Sequence, residues 1–133
     1  KRYRQKISGP LLDRIDLQVN VPANTQEVIA AQEYTGDSSE VIKQRVNEAQ
    51  QRQKDRQSCL NADLNNNQIR QFCVLQEEGR QLMSQAVDRL ALSARAYHRT
   101  LKVARTIADL DKSPTIESAH LLEALNLRKT EAI

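Results

Sequence analysis

Glycine and proline are scarce, with three of each in 133 residues. Breakers this sparse favour long helices. Cysteine is limited to Cys59 and Cys73, neither with a CxxC neighbour, and the two histidines, His98 and His120, lie apart. A structural zinc site needs about four clustered ligands, so no metal site is expected. The thiols are read as free, as in a reducing cytoplasm. No apolar run approaches the ~18 residues that span a membrane. The basic opening Lys1-Arg2-Tyr3-Arg4 has no apolar stretch behind it, so no signal peptide is expected either. With one phenylalanine and three tyrosines, base stacking on nucleic acid has little material.

Machinery for stand-alone catalysis is missing as well. Gly9, Gly36 and Gly79 are too far apart to build a Gly-x-x-x-x-Gly-Lys-Ser/Thr phosphate loop. There is no Gly-x-Ser-x-Gly elbow. No nucleophile or carboxylate pattern commits His98 or His120 to a triad, and His120 is read as a helix-surface residue. What is present is ordinary for a soluble globular chain: 39% hydrophobic and 28% charged residues, which excludes a disordered polyelectrolyte. The net charge of +3 allows nucleic-acid contact without requiring it.

Ile15, Leu17, Val19 and Val21 alternate with polar residues, so Arg14–Val21 reads as a strand with one apolar face, ended by Pro22. One strand makes no sheet, and everything after it looks helical. Ala23–Gly36 is a connector, with a helical turn at Glu27–Ala31. Asp37-Ser38-Ser39-Glu40 has capping-box form and opens a helix with Val41, Ile42, Val46 and Ala49 on one side. Its continuation, Gln50–Gln57, is polar all round and should project into solvent or meet a polar partner. A short helix is expected at Asn67–Cys73. Another, Glu77–Leu90, should bury Leu82, Met83, Ala86, Val87 and Leu90, with Gly79 near its start. Ser93 caps the strongest helix, Ala94–Leu110, whose packing stripe is Ala94, Tyr97, Leu101, Ala104 and Ala108. Pro114 breaks it, and Thr115 can cap a last helix burying Ile116, Ala119, Leu122 and Leu125 or their neighbours. The fold class expected is all-α: a bundle of four to five helices preceded by one β-strand.

Three groups of arginines are candidates for chemistry. Arg14 stands at the strand's entrance, between Asp13 and Asp16, behind a Ser8-Gly9-Pro10 turn. It is either a paired surface residue or a planar cationic fork offered to a phosphate. Arg95 lies in the first turn of the Ala94 helix, where free amides favour anions; Arg99 and Lys102 continue that face. A basic solvated face is the plainer reading. Arg45, Arg52 and Arg56 fall near one stripe of the long polar helix. That stripe could track nucleic-acid phosphates or be a solvated, salt-bridged face.

Ser8–Leu17, reading SGPLLDRIDL, and Leu92–Leu110, reading LSARAYHR and then VARTIADL, resemble the bacterial magnesium-chelatase-like AAA+ ATPases of the competence-associated ComM/YifB type. The resemblance covers nearly the whole chain. It implies that residues 1–22 are the last strand and arginine-finger segment of an AAA+ core, 23–37 a linker, 38–129 the helical lid and 130–133 a tail. It implies a homo-oligomeric, typically hexameric ring with ATP and Mg2+ between subunits in the full-length protein, neither expected on this segment alone. Arg14 resembles the finger that reaches a neighbour's γ-phosphate. Arg95 resembles the sensor 2 arginine, with Arg99 and Arg105 as fallbacks. The Walker motifs would lie before Lys1. The partners implied are the chain's own ATPase core, neighbouring subunits and DNA, in a machine linked to branch migration, with no membrane. The alternative is a helical DNA-binding or adaptor domain with no nucleotide role.

Overall fold

A computed structural model describes residues 14–19 and 36–128. It is an all-α helical bundle, as the sequence implies. The helices are α1 (Ser39–Gln57), α2 (Asn66–Phe72), α3 (Glu77–Leu90), α4 (Ala94–Leu110) and α5 (Ser118–Arg128), with a 3-10 turn at Asn61–Asp63 between α1 and α2. The connector's helical turn, the end of the Arg14–Val21 strand and the tail lie outside the described residues. The part of that segment that is described, 14–19, runs against the bundle: the Gln18 amide donates to the Leu127 carbonyl at the end of α5.

Polar residues that compete with the backbone start the helices. Ser38, not Asp37, caps α1, its Oγ accepting from the Val41 amide. The Asp37 carboxylate instead pairs with Arg45 at 2.7 Å. Asn65 and Gln68 form a reciprocal capping box, which starts α2 one residue earlier than the spacing suggests. Ser93 caps α4 as expected. Thr115 does not cap α5. The Glu117 amide at that entrance donates to Nδ1 of His120 instead. Glycine is so sparse that helix ends use other residues in the left-handed region: Ser58 at φ 64° and Ala91 at φ 50°.

Helix α4 is the central post. It packs on α5, α1, α2 and the 3-10 turn. The apolar core gathers Leu64, Ile69, Cys73, Met83, Leu101, Ala104, Ile116 and Leu121. Leu75 and Ile116 form a parallel bridge that ties the α2–α3 link to the α4–α5 link. Helix α3 buries Met83 and Ala86 as expected, but Leu90 is exposed and Gly79 is buried instead. In α5 the buried set is His120, Leu121, Ala124 and Leu125, while Ala119 and Leu122 face out. His120 is therefore a core residue, 4% exposed, and not the surface residue expected. Because its Nδ1 accepts a hydrogen bond, its proton sits on Nε2, which donates to Asp111 at 3.0 Å.

Helix α1 departs most from expectation. Val41, Ile42 and Val46 are 40–49% exposed, and only Ala49 of its apolar side is buried. The polar run meets a partner: Gln53 and Gln57 are buried and bond to Asn61 of the 3-10 turn, and α1 reaches α4 through Arg52 and Arg56. Correspondingly, the buried face of α4 is not the expected apolar stripe alone. It adds Ala96, Thr100, Arg105 and Asp109, and it leaves Ala94 exposed.

Candidate functional site

The α1–α4 contact is a buried polar cluster built around one carboxylate. Asp109 has 1% of its side chain exposed. Arg56 forks onto it at 2.7 and 3.1 Å. Arg105, one turn earlier on α4, donates to it at 3.1 Å, and Asn61 donates at 3.0 Å. Asn61 is itself fixed by Gln53, Gln57 and Thr106. Arg105 also donates to the Ser113 and Pro114 carbonyls and so closes the α4–α5 link. Burial holds the Arg105 guanidinium below its ordinary pKa, and the neighbouring Asp109 charge opposes that shift. A buried charge must be paired and hydrogen-bonded to be tolerated; Arg105 meets this through its two terminal nitrogens, while its Nε is buried without a partner. The cluster is a clamp between elements, and its arginines are spent inside it.

That settles the positions of several candidates. Arg105, a fallback for the phosphate-sensing role, is buried and paired with Asp109. Of the proposed nucleic-acid stripe, Arg56 is held by Asp109, Arg52 donates to the Asp109 carbonyl at 3.1 Å, and Arg45 pairs with Asp37. The three do not present a common free row. Sequence reasoning missed the clamp, although a signal existed. Gln53 and Gln57 on α1, and Arg105 and Asp109 on α4, both repeat at four residues, the spacing of one helix face.

The remaining cations meet elsewhere. A groove of about 740 Å³ runs along the outer side of α4. Arg95, His98, Arg99 and Lys102 line it from the first half of the helix, and Val103, Ile107 and Leu110 from the second. Ala62, Asn66 and Ile69 contribute from the 3-10 turn and α2, and Leu127 from α5. Asp16 and Leu17 of the 14–19 segment close it. Arg95 is exposed at the first turn of α4, beside the positive end of the helix dipole, and makes no hydrogen bond or ion pair among the described residues. Arg99, about 6 Å further along the axis, is ion-paired with Asp16. The Lys102 ammonium donates to the Ala62 carbonyl at 3.0 Å. Arg14 is exposed and has no partner among the described residues. Of its two candidate partners, Asp16 is ion-paired with Arg99 and Asp13 lies outside the described residues. Among the described residues the groove thus offers a free guanidinium at Arg95, a second covered by Asp16, an anchored ammonium, an apolar stretch and a further carboxylate, Glu123 of α5.

Among the described residues no group of three or more His, Cys, Asp or Glu is placed to hold a metal, and no helix is long and apolar enough to cross a membrane. Cys59 and Cys73 are both free thiols.

Known proteins share this arrangement of sequence. The chain is 43% identical to the protein YifB of Escherichia coli (strain K12) over 132 residues, 99% of this chain and 26% of that protein. It is 39% identical to YifB of Salmonella typhimurium (strain LT2) over 132 residues, again 26% of that protein. It is 39% identical to the competence protein ComM of Haemophilus influenzae (strain Rd) over 127 residues, 96% of this chain and 25% of that protein. The chain thus spans about a quarter of the length of the curated relatives it matches. Residues 1–29 match the family described as magnesium chelatase, subunit ChlI. Residues 36–128, which carry the whole clamp and nearly all of the groove, match the family described as magnesium chelatase, subunit ChlI C-terminal, and it is to this family that the chain belongs.

Proposed function

We propose that the chain is the helical lid of a ring-forming, magnesium-chelatase-like AAA+ ATPase, and that the α4 groove faces the phosphates of a bound ATP. What supports this reading is the uncommitted Arg95 at a capped helix start, with Arg99 and Lys102 behind it on one groove. A cationic fork beside free helix amides suits a polyphosphate. Arg95 is then the sensor 2 residue, registering nucleotide state and transmitting it into α4. Arg14, exposed and without a partner among the described residues, is the finger that braces charge on the γ-phosphate of a neighbouring subunit's nucleotide. ATP and Mg2+ belong to the full-length protein. The described residues provide cations for phosphate.

The clamp gives this role a mechanical basis. Asp109 and Arg105 lock α4 to α1 and to the α4–α5 link, so a pull on Arg95 moves the lid as a body. Coupling of hydrolysis to DNA translocation or branch migration extends the reading by way of the relative named a competence protein. The test is Arg95→Ala in the full-length protein, followed by titration with a fluorescent ATP analogue and by steady-state ATPase assay. Weaker nucleotide response or loss of coupling is expected. An unchanged binding curve and ATPase profile would return Arg95 to an ordinary solvated face.

A further inference from the structure

We infer that Asp16 and Arg99 form a nucleotide-displaceable latch, in which a carboxylate from the arginine-finger segment occupies a phosphate-binding arginine until phosphate replaces it. The inference rests on the reading of the groove just given. Four observations carry it. Arg99 and Arg95 lie one turn apart on the same helix and line the same groove, yet Arg95 is open while Arg99 is covered. The covering group is not local: Asp16 is 83 residues away in sequence and two residues after Arg14. The pair sits at the surface, with 28% of the Arg99 side chain and 50% of Asp16 exposed, so a competing anion can reach it. Among the described residues, 14–19, the segment that brings Asp16 there has few ties. Besides this pair it is tied by the Gln18 amide to Leu127 and by an Arg128 guanidinium to the Ile15 carbonyl at 3.2 Å. Its position also leaves the Gln18 side-chain amide buried with no partner, an arrangement that release would relieve.

The physical logic is competition for one fork. A carboxylate offers Arg99 a single negative charge. A nucleotide polyphosphate offers several, with oxygens spaced for bidentate pairing. Phosphate held first by Arg95 therefore reaches Arg99 at high local concentration and displaces Asp16. Displacement frees Asp16 and Leu17 from the groove and so changes the setting of Arg14. Occupancy of one nucleotide is thereby coupled to the finger that serves another. Coupling of this kind is reciprocal: whatever weakens the latch from the Asp16 side, with Arg99 intact, must strengthen phosphate binding.

The experiment is a mutant cycle in the full-length protein, read by titration with a fluorescent, non-hydrolysable ATP analogue. Removing the Asp16 charge in Asp16→Asn is expected to tighten nucleotide binding about two- to five-fold, the range set by a partly exposed ion pair. The same change in an Arg99→Ala background is expected to have no effect. Tightening that persists without Arg99 would overturn the latch in favour of a general charge effect. Unchanged or weaker binding in Asp16→Asn, with Arg95→Ala still weakening it, would overturn the latch and leave the sensor reading standing. No response to either Asp16→Asn or Arg95→Ala would overturn both.

Discussion

Asp109 is the residue on which most of the polar interior depends. Its carboxylate accepts from two guanidiniums and an amide, all from different turns or elements. Asp109→Ala would leave Arg56 and Arg105 facing each other with no anion between them. Removing one partner of a buried charge set costs on the order of 3–5 kcal/mol, a large share of the ~5–15 kcal/mol that holds a small domain together. Urea denaturation should show that loss, and a midpoint equal to wild type would mean that water already solvates the cluster. Cys73 is the second residue with a measurable signature. Burial pushes its thiol up from about 9.0 to about 11, against the opposing charges of Arg105 and Arg56. The unfolded chain loses this proton at lower pH than the folded one. The stabilisation is therefore complete below pH 9 and is lost as pH rises from about 9 to about 11, by roughly 2–3 kcal/mol at most. Cys73→Ser should flatten that limb of the stability–pH curve. Persistence of the same slope in the variant would assign it to other groups.

At the scale of elements, the structure separates what periodicity reports from what it does not. Helices α3 and α4 were legible to the residue, because Ser93 caps one and apolar steps of three and four run through both. The spacing of Val41, Ile42 and Val46 likewise shows that they share a side of α1. It carries no information on what lies against that side, and the protein packs the opposite end of the helix through glutamines and arginines. The clamp was hidden for a related reason. Arg56 and Asp109 are 53 residues apart, and only the fold brings them together. His120 was misread because its side-chain partner, Asp111, lies nine residues back in the α4–α5 link, and its other partner, three residues back, is the Glu117 backbone amide, which no side-chain pattern marks. Gly79 is a further example. The sequence marks it as a tolerable weakness near the start of α3, whereas a Cβ there would stand 3.0 Å from Leu121 Cδ1 and 3.5 Å from Leu75 Cβ. The glycine lets α3 approach α5. Gly79→Val is expected to destabilise by about 1–3 kcal/mol through overpacking, seen as a thermal midpoint lowered by several degrees. A raised midpoint would show that Leu121 swings aside and that helix propensity wins.

For the whole molecule, the groove and the exposed Arg14 raise the question of which nucleotide each arginine serves. The groove was only half legible. Arg95 and Arg99 were evident on α4 from their spacing, but its lining by Asp16 and Leu17 joins distant parts of the chain, with Asp16 83 residues from Arg99, which no local pattern encodes. On the proposed assignment Arg14 acts across a heterologous ring interface and Arg95 on its own subunit's ATP. Arg14→Ala alone should then keep nucleotide binding and cut turnover by on the order of 10³, the contribution of such a finger. Co-assembly of the two single variants makes the stronger test. In a ring mixing Arg14→Ala subunits with Arg95→Ala subunits, a site is whole when the nucleotide sits on the former and the latter is its neighbour. Equal mixing makes about a quarter of head-to-tail interfaces whole, so ATPase activity should rise well above that of either variant ring. If both arginines served the same subunit's nucleotide, no mixed interface would hold an intact pair, and mixing would recover nothing.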